Sequence, residues 1–383
     1  MSKYTLHIIA AAAVLCLTGC GKGLSGDAEA GDLVSFSIQT ASAPHTKTVY
    51  SGSVQTVGDR QVERIDWVVG DRLRIYSDVA VHRYNANMHY ADYIVVGEPE
   101  TMGTESRAYI QGLSLDNETI VGGLPNGYPM RNGLIWGEGT HAFYGVYPSP
   151  AIIGSDISFN LASRTATFSI PSAQTWSGTA PELAPDMNYA YLYAGISGVE
   201  SRTPFTLAFQ PMYTAFRFTV GAPEEAVVLK GFRLFSEASV MAGSCTATIT
   251  AAADSRSSSA AYGIPSGGAR QVSLSFGEGI TLARGSELTF TVFALPQDFA
   301  DLRASFTVTR ATDDIERTNT LALKYGTTPP AGHAAGEWVT FPGAMKHRIT
   351  CNIGPAFTQL IEVYTLGTVE DWTYMGKNEI RVP

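Results

Sequence analysis

The sequence predicts an all-β fold arranged as two β-sandwiches in tandem, and three observations carry that prediction. Short runs of alternating apolar and polar residues recur along the chain, separated by clusters of Gly, Pro, Asn and Ser. This is the pattern of half-buried strands joined by turns. No segment offers a long amphipathic helical period. Apolar residues make up 45% of the 383 and charged residues only 16%, against ~25% charged in an average soluble domain, so a large core is available by composition. A chain of this length suggests two domains rather than one.

The first element is a leader, residues 1–19. Lys3 precedes an apolar run from Ile8 to Leu17. Such a run is long enough to engage a secretion channel and too short to remain as a membrane-spanning helix. It closes on Leu17-Thr18-Gly19-Cys20, which resembles the lipobox of bacterial lipoproteins. That resemblance implies cleavage after Gly19 and lipid on the thiol of Cys20. Several acyl chains on one cysteine would supply the multiple signals that stable anchoring requires. The other reading is an ordinary secretory signal in which Cys20 is incidental. Lys3 is the only charge in the leader, so its removal moves the formal net charge from −9 to −10. An acidic chain of this kind repels nucleic acid and anionic membrane, and neither is expected as a partner. Outside the leader the sequence offers no run of ~18 apolar residues that could span a bilayer.

Residues 20–32 are small and polar without periodicity and read as a flexible tether. Leu33 to Thr40 alternates, with Val34, Phe36 and Ile38 on one face and Ser35, Ser37 and Gln39 on the other. That is a half-buried strand. Ala41 to Thr48, with Pro44 and Lys47, reads as an exposed joint of the sort proteases reach. A short strand follows at Thr48 to Ser51. Val62 to Ser77 reads as a strand, a tight turn at Gly70-Asp71 and a second strand. Further strands are expected at 90–96, 106–111, 141–147, 165–170 and 189–193. Gly195 to Pro204 is a Gly/Ser-rich joint and the expected boundary between a first sandwich, 33–200, and a second, 204–383.

The second half restarts with strands at 205–210 and 214–220. Others follow at 228–235, 244–250, 272–276, 288–295, 304–309, 320–324, 337–341, 347–351, 361–366 and 369–374, with a Ser-rich loop at 255–260. Leu288 to Leu295 is the cleanest alternation in the chain.

No motif for catalysis stands out. The sequence lacks His-Glu-x-x-His, Cys-x-x-Cys, Gly-x-Ser-x-Gly and a phosphate-cradling Gly-Lys-Ser/Thr loop. No catalytic residue, cofactor or metal site is therefore assigned. His82 and His89 lie near one another without a carboxylate pattern that would complete a metal site. Asp66, Asp71, Asp92, Asp313 and Asp314 could hold calcium or act as a glycosidase pair, but they lack the spacing of a calcium loop and read as turn and strand-surface carboxylates. Trp67, Trp136, Trp176, Trp338 and Trp372 could be sugar platforms or core residues. Cys245 and Cys351 could pair in an exported protein or stay as two thiols buried in strands.

At Arg64-Ile-Asp-Trp-Val-Val-Gly-Asp-Arg-Leu-Arg-Ile-Tyr76 the chain resembles the fimbrillin family of Bacteroidales, the type V pilins and their lipoprotein relatives. Trp67, Gly70, Asp71, Leu73, Ile75 and Tyr76 fill that family's Trp-x-x-Gly-Asp pattern. The segments 137–148, with Phe143-Tyr144 and Tyr147-Pro148, and 204–218 resemble further strands of the family. The resemblance implies two transthyretin-like β-sandwiches and an outer-membrane lipoprotein precursor of a fimbria. It also implies removal of the first strand, Val34, Phe36 and Ile38 included, by an Arg- or Lys-specific protease. The matching basic residues are Lys47, then Arg60, although the family's best-known site is arginine. A strand from the next subunit would refill the groove. The candidate donor is the C-terminal run with Ile380 and Val382, which could equally close its own sandwich. Expected partners are other fimbrial subunits, the outer membrane through lipid on Cys20, and a host or bacterial surface ligand. The alternatives are an unprocessed anchor that keeps its lipid, or a surface glycan-binding lipoprotein.

Overall fold

A computed structural model describes residues 33–34, 36–40, 49–57, 60–96, 100–102, 105–108, 110–113, 133–152, 156–222, 225–310, 315–326, 329, 331–353, 363–364 and 369–370. These form strands joined by turns. The first half contains β1 (Phe36–Thr40), β2 (Val49–Val57), β3 (Arg60–Asp66), β4 (Arg72–Ser77), β5 (Val81–His82), β6 (Tyr90–Val95), β7 (Glu100–Met102), β8 (Glu105–Ala108), β9 (Ile110–Gly112), β10 (Leu134–Ile135), β11 (Thr140–Tyr147), β12 (Ser158–Asn160), β13 (Thr165–Ile170), β14 (Ala173–Gln174), β15 (Trp176–Thr179), β16 (Glu182–Pro185) and β17 (Leu192–Glu200). The second contains β18 (Phe205–Pro211), β19 (Thr214–Gly221), β20 (Val227–Phe235), β21 (Gly243–Thr250), β22 (Ser259–Gly263), β23 (Gln271–Leu282), β24 (Glu287–Ala294), β25 (Arg303–Arg310), β26 (Arg317–Ala322), β27 (Lys346–Asn352), β28 (Val363–Tyr364) and β29 (Val369–Glu370). The helical content of the described residues is two single turns of 3-10 helix, at Met187–Tyr189 and Ser255–Ser257.

The largest sheet has nine strands in the order β7-β8-β1-β18-β17-β11-β4-β6-β9. It curls on itself. Phe36 of β1 and Tyr93 of β6 stand five places apart in the sheet, yet their rings meet edge to face at 5.1 Å. Trp67 fills the same interior against Tyr147 and Phe209. On the outer face lies a four-stranded sheet, β12-β13-β21-β22, joined to it through Tyr76–Phe159 and Tyr191–Phe168 contacts. A second sandwich pairs the five-stranded sheet β14-β23-β20-β25-β26 with the sheet β15-β16-β24-β19-β27-β28. Its core is aromatic: Phe232 packs on Phe218, Phe290 and Phe306, and Phe276 on Phe290. Such pairs add to the burial of large apolar area.

The fold is all-β, as the alternation predicts, and several elements depart in detail. The run 62–77 does form a strand, a turn and a strand, but the two strands are not partners. β3 pairs with β2, and β4 with β6 and β11. The reason is local. Gly70 takes φ +96, and the Asp71 carboxylate accepts the Val68 N–H at 2.8 Å and the Tyr147 hydroxyl at 2.8 Å. Those bonds send the chain toward β11 instead of back along β3. The expected strand at 189–193 is a 3-10 turn followed by β17, which runs through Gly195 to Glu200. The expected joint at 195–204 is thus a strand end and a turn, and strand pairing crosses it. Leu192 and Tyr193 of β17 face Pro211 and Gln210 of β18, and β18 pairs with β1. In the other direction, β14 lies parallel to β23 and β16 to β24. The expected strand at 337–341 is reduced to two isolated bridges, Lys324 with Trp338 and Phe299 with Phe341. Ser259–Gly263, its first two residues expected as loop, is the edge strand β22.

Candidate functional site

The strand expected to matter most, β1, lies inside the nine-stranded sheet and not at its edge. On one side it runs parallel to β18, with Phe36 opposite Phe205 and Ile38 opposite Leu207. On the other it runs antiparallel to β8, with Ile38 opposite Ala108. The alternation read from the sequence is realised in burial: Val34 is 1%, Phe36 9% and Ile38 0% exposed. Phe36 stacks on Phe205 at 5.4 Å, and Phe205 stacks on Phe143 at 4.5 Å. The slot is completed just before β1. The Val34 N–H donates to the Leu134 carbonyl at 2.9 Å, and Leu33 bridges Ile135. The Leu134 N–H in turn donates to the Tyr93 hydroxyl at 2.9 Å. Burial raises the Tyr93 phenol far above its ordinary value, so it stays protonated. Gly133 allows this approach. It has φ +124, and a Cβ there would lie 2.6 Å from the Tyr93 hydroxyl.

Of the other sequence-predicted site residues, Arg60 is the first residue of β3, opposite Val57 of β2. Cys20, Lys47, Ile380 and Val382 lie outside the described residues. The structure therefore brings Val34, Phe36 and Ile38 into one slot.

Asp313, Asp314 and Trp372 lie outside the described residues; several of the others considered for different chemistry are engaged in holding the fold. Asp92 takes a two-pronged pair of hydrogen bonds from Arg74, Nε at 2.9 Å and Nη2 at 2.7 Å, and another from the Ser149 hydroxyl. Two-pronged bonds of this kind are directional as well as strong. This buried pair fastens β4 to β6, and no sequence spacing announces it. His82 is buried, and its Nδ1 accepts the Tyr84 N–H at 3.2 Å; His89 Nδ1 lies 3.1 Å from the Ala80 carbonyl. Among the described residues no three His, Cys, Asp or Glu side chains converge on a point that could hold a metal ion. Trp67 is a core residue, 2% exposed. Trp136 and Trp176 are partly buried against the core, Trp176 donating to the Ser275 carbonyl at 2.8 Å. Cys245 and Cys351 are separate buried thiols on β21 and β27 and form no disulfide. Burial pushes both up to about 12, where a thiol is unreactive at neutral pH.

No family model matches the chain, and no curated protein matches it. Solved structures do. A candidate cell adhesion protein from Bacteroides ovatus is similar over 84% of this chain and 92% of its own, at 15% identity and a TM-score of 0.41. The C-terminally truncated tip fimbrial protein Mfa3 from Porphyromonas gingivalis is similar over 84% and 95%, at 10% identity and TM-score 0.33. A fimbrial assembly protein from Parabacteroides distasonis is similar over 83% and 90%, at 8% identity and TM-score 0.34. At these identities and TM-scores, function has to be argued from the residues and geometry of this chain.

Proposed function

We propose that this protein is a non-catalytic subunit or accessory adhesin of a cell-surface fimbria, assembled by exchange of β1. The single observation that carries the reading is the position of β1: an interior strand, paired on both sides, seated by three buried apolar side chains. Burying each such side chain contributes roughly 1.5–3 kcal/mol. Its loss would expose an apolar slot and leave β18 and β8 each unpaired on the side that β1 had filled, while β17 and β7 stay on their other sides. A vacancy of that kind favours an incoming strand from another chain, whose alternate side chains fill the pockets.

In this reading, lipid on Cys20 carries the precursor to the outer membrane. Cleavage after Lys47 or Arg60 releases β1, and the strand around Ile380 and Val382 of a neighbouring copy takes its place. The test uses purified precursor with trypsin at low ratio, followed by electron microscopy and light scattering. Cleavage should convert monomer into polymers, and deletion of residues 378–383 should stop elongation while leaving the uncleaved monomer folded. Cleaved protein that stays monomeric and well folded would rule strand replacement out. A Cys20→Ser precursor should lose acyl labelling and membrane retention; labelled, membrane-bound variant protein would refute the lipobox reading.

A further inference from the structure

A cleft of about 320 Å³ opens at the junction of the nine-stranded and four-stranded sheets. It exists because the ladder between β11 and β17 breaks there. His141 faces Val199 and Phe143 faces Ile196, so β17 carries one extra residue across this step. The bulge frees backbone groups that then find other partners. The Ala142 N–H donates to Asp78 Oδ1 at 2.9 Å, and the Ser197 N–H donates to the Ala252 carbonyl at 2.9 Å. Gly198, at φ +74, has nothing within 4 Å of where a Cβ would sit. Bulges that re-aim side chains in this way recur beside functional sites.

The side chains at the cleft form a mixed set. Arg164 stands at φ +55, an uncommon conformation for a long side chain. It is held by its own N–H to the Leu161 carbonyl and by the Ile249 N–H donated to its carbonyl. Its guanidinium lies 5.9 Å from the centre of the Tyr144 ring. Burial raises the Tyr144 phenol, so it remains a donor. Asp78, which accepts the Ala142 N–H on Oδ1, is itself part of the cleft lining. Thr140 donates its hydroxyl hydrogen to Glu200 at 3.2 Å and so offers lone pairs. Ser197 and Thr250 add hydroxyls.

We infer that this cleft binds a neutral sugar ring, a hexose unit of a glycan. The argument is one of matching. Every sugar hydroxyl both donates and accepts, and the cleft offers a rigid donor fork at Arg164, acceptors at Asp78 and Thr140, and hydroxyls that do either. The volume falls within the range of small-molecule sites, ~300–1,000 Å³. An acidic sugar fits less well, because Asp78 and Glu200 together outweigh the one arginine. The inference is independent of β1 exchange and is tested on the uncleaved chain, so either can fail without the other.

Saturation-transfer NMR with the methyl glycosides of glucose, galactose and mannose, against glucuronic acid and glycerol, reads the site directly. At least one neutral glycoside should show ring-proton saturation, and its affinity should fall about tenfold in Arg164→Asn, the loss of one charged hydrogen bond. Asparagine tolerates the left-handed backbone at 164, so the variant should keep its melting temperature. Asp78→Asn should weaken the same glycoside, while Arg233→Gln, on the distant β20, should not. Tighter binding of glucuronic acid than of every neutral glycoside would overturn the inference. So would binding of glycerol equal to that of the sugars, absence of saturation for all probes, or affinity unchanged in Arg164→Asn.

Discussion

Two strands of this molecule occupy similar places and are held by different chemistry. β1 and β27 each run parallel to one neighbour inside a sheet, β1 beside β18 and β27 beside β19, and β18 and β19 are consecutive in the chain. Each also has an antiparallel partner on its other side, β8 for β1, and β28 and β29 for β27. β1 inserts Val34, Phe36 and Ile38. β27 inserts Ile349 and Cys351 together with the buried polar residues Lys346 and His347. His347 Nε2 lies 2.9 Å from the Pro342 carbonyl, and its ring stacks on Phe216 at 5.2 Å. Apolar burial has no directional requirement, so any strand with the right alternation can serve in place of β1. A buried hydrogen bond fixes partner and register, and removing one member leaves the other unsatisfied. On the proposed exchange, the slot of β1 asks an incoming strand chiefly for apolar alternation, whereas the place of β27 also asks for its buried polar residues.

The largest expected effect breaks the comparison at the whole strand. A chain lacking residues 33–40 should lose about 5–9 kcal/mol of apolar burial, before ordering costs. Whole domains are stable by only about 5–15 kcal/mol. An added peptide of residues 33–40 should restore much of the loss, because the slot asks only for alternation. Denaturant melts with and without peptide measure both. No rescue at saturating peptide would mean that β1, too, depends on its covalent connection.

Single truncations come next. Ile38→Ala and Ile349→Ala, both at nearly complete burial, should each cost about 2–5 kcal/mol in urea melts. Equal costs would place the difference between the two strands in the polar residues of β27. A far smaller cost at Ile349 would mean that β27 is held chiefly by His347 and Lys346.

The polar side of the contrast is titratable. Burial drives His347 from its ordinary 6.5 down to about 4, with the Pro342 hydrogen bond and Asp298 opposing. The unfolded chain therefore takes up this proton before the folded one does. The stability attached to neutral His347 is fully present above about pH 6.5, is lost as pH falls from there through about 4, and totals about 3 kcal/mol. His82 is shifted in the same direction by its own burial, so melts of His347→Gln beside the parent are needed. The variant should show a shallower acid slope. An unchanged slope would assign acid sensitivity to other groups.

How much of this was legible in the sequence differs between face and partner. Alternation located the strands and their buried faces: the run 288–295 is β24, 214–220 is β19, and Phe36 and Ile38 point inward. A period of two says which side is buried and nothing about which strand lies alongside. The parallel neighbour of β1 begins at Phe205, and no turn connects the two. The β3–β4 segment shows the converse error. Gly70-Asp71 looks like a hairpin turn, but the Asp71 carboxylate is committed to Val68 and Tyr147, which redirects the chain. The sugar cleft was invisible for a similar reason. Asp78, Thr140, Arg164, Ser197 and Thr250 share no spacing, and only a bulge and two packed sheets bring them together.

The smallest expected effect sharpens the comparison at the entry to β1. The Leu134 backbone links β1 to Tyr93, its carbonyl accepting from Val34 and its N–H donating to the Tyr93 hydroxyl. This is the nearest counterpart in the β1 slot to the His347 bond beside β27, yet it belongs to the slot and not to the strand. Tyr93→Phe keeps the ring that meets Phe36 and removes only the acceptor, leaving a buried N–H without its partner at a cost of about 1–3 kcal/mol. The loss should concentrate at β1. Hydrogen exchange at Val34 and Ile38 should accelerate, and the Leu33–Thr40 peptide should exchange faster in the cleaved protein. Exchange at Ile349 and Cys351 of β27 should stay as in the parent, since β27 lies in a different sheet. Acceleration at both strands would show that the two sandwiches open as one cooperative unit, and the contrast between an exchangeable and a fixed strand would then fail.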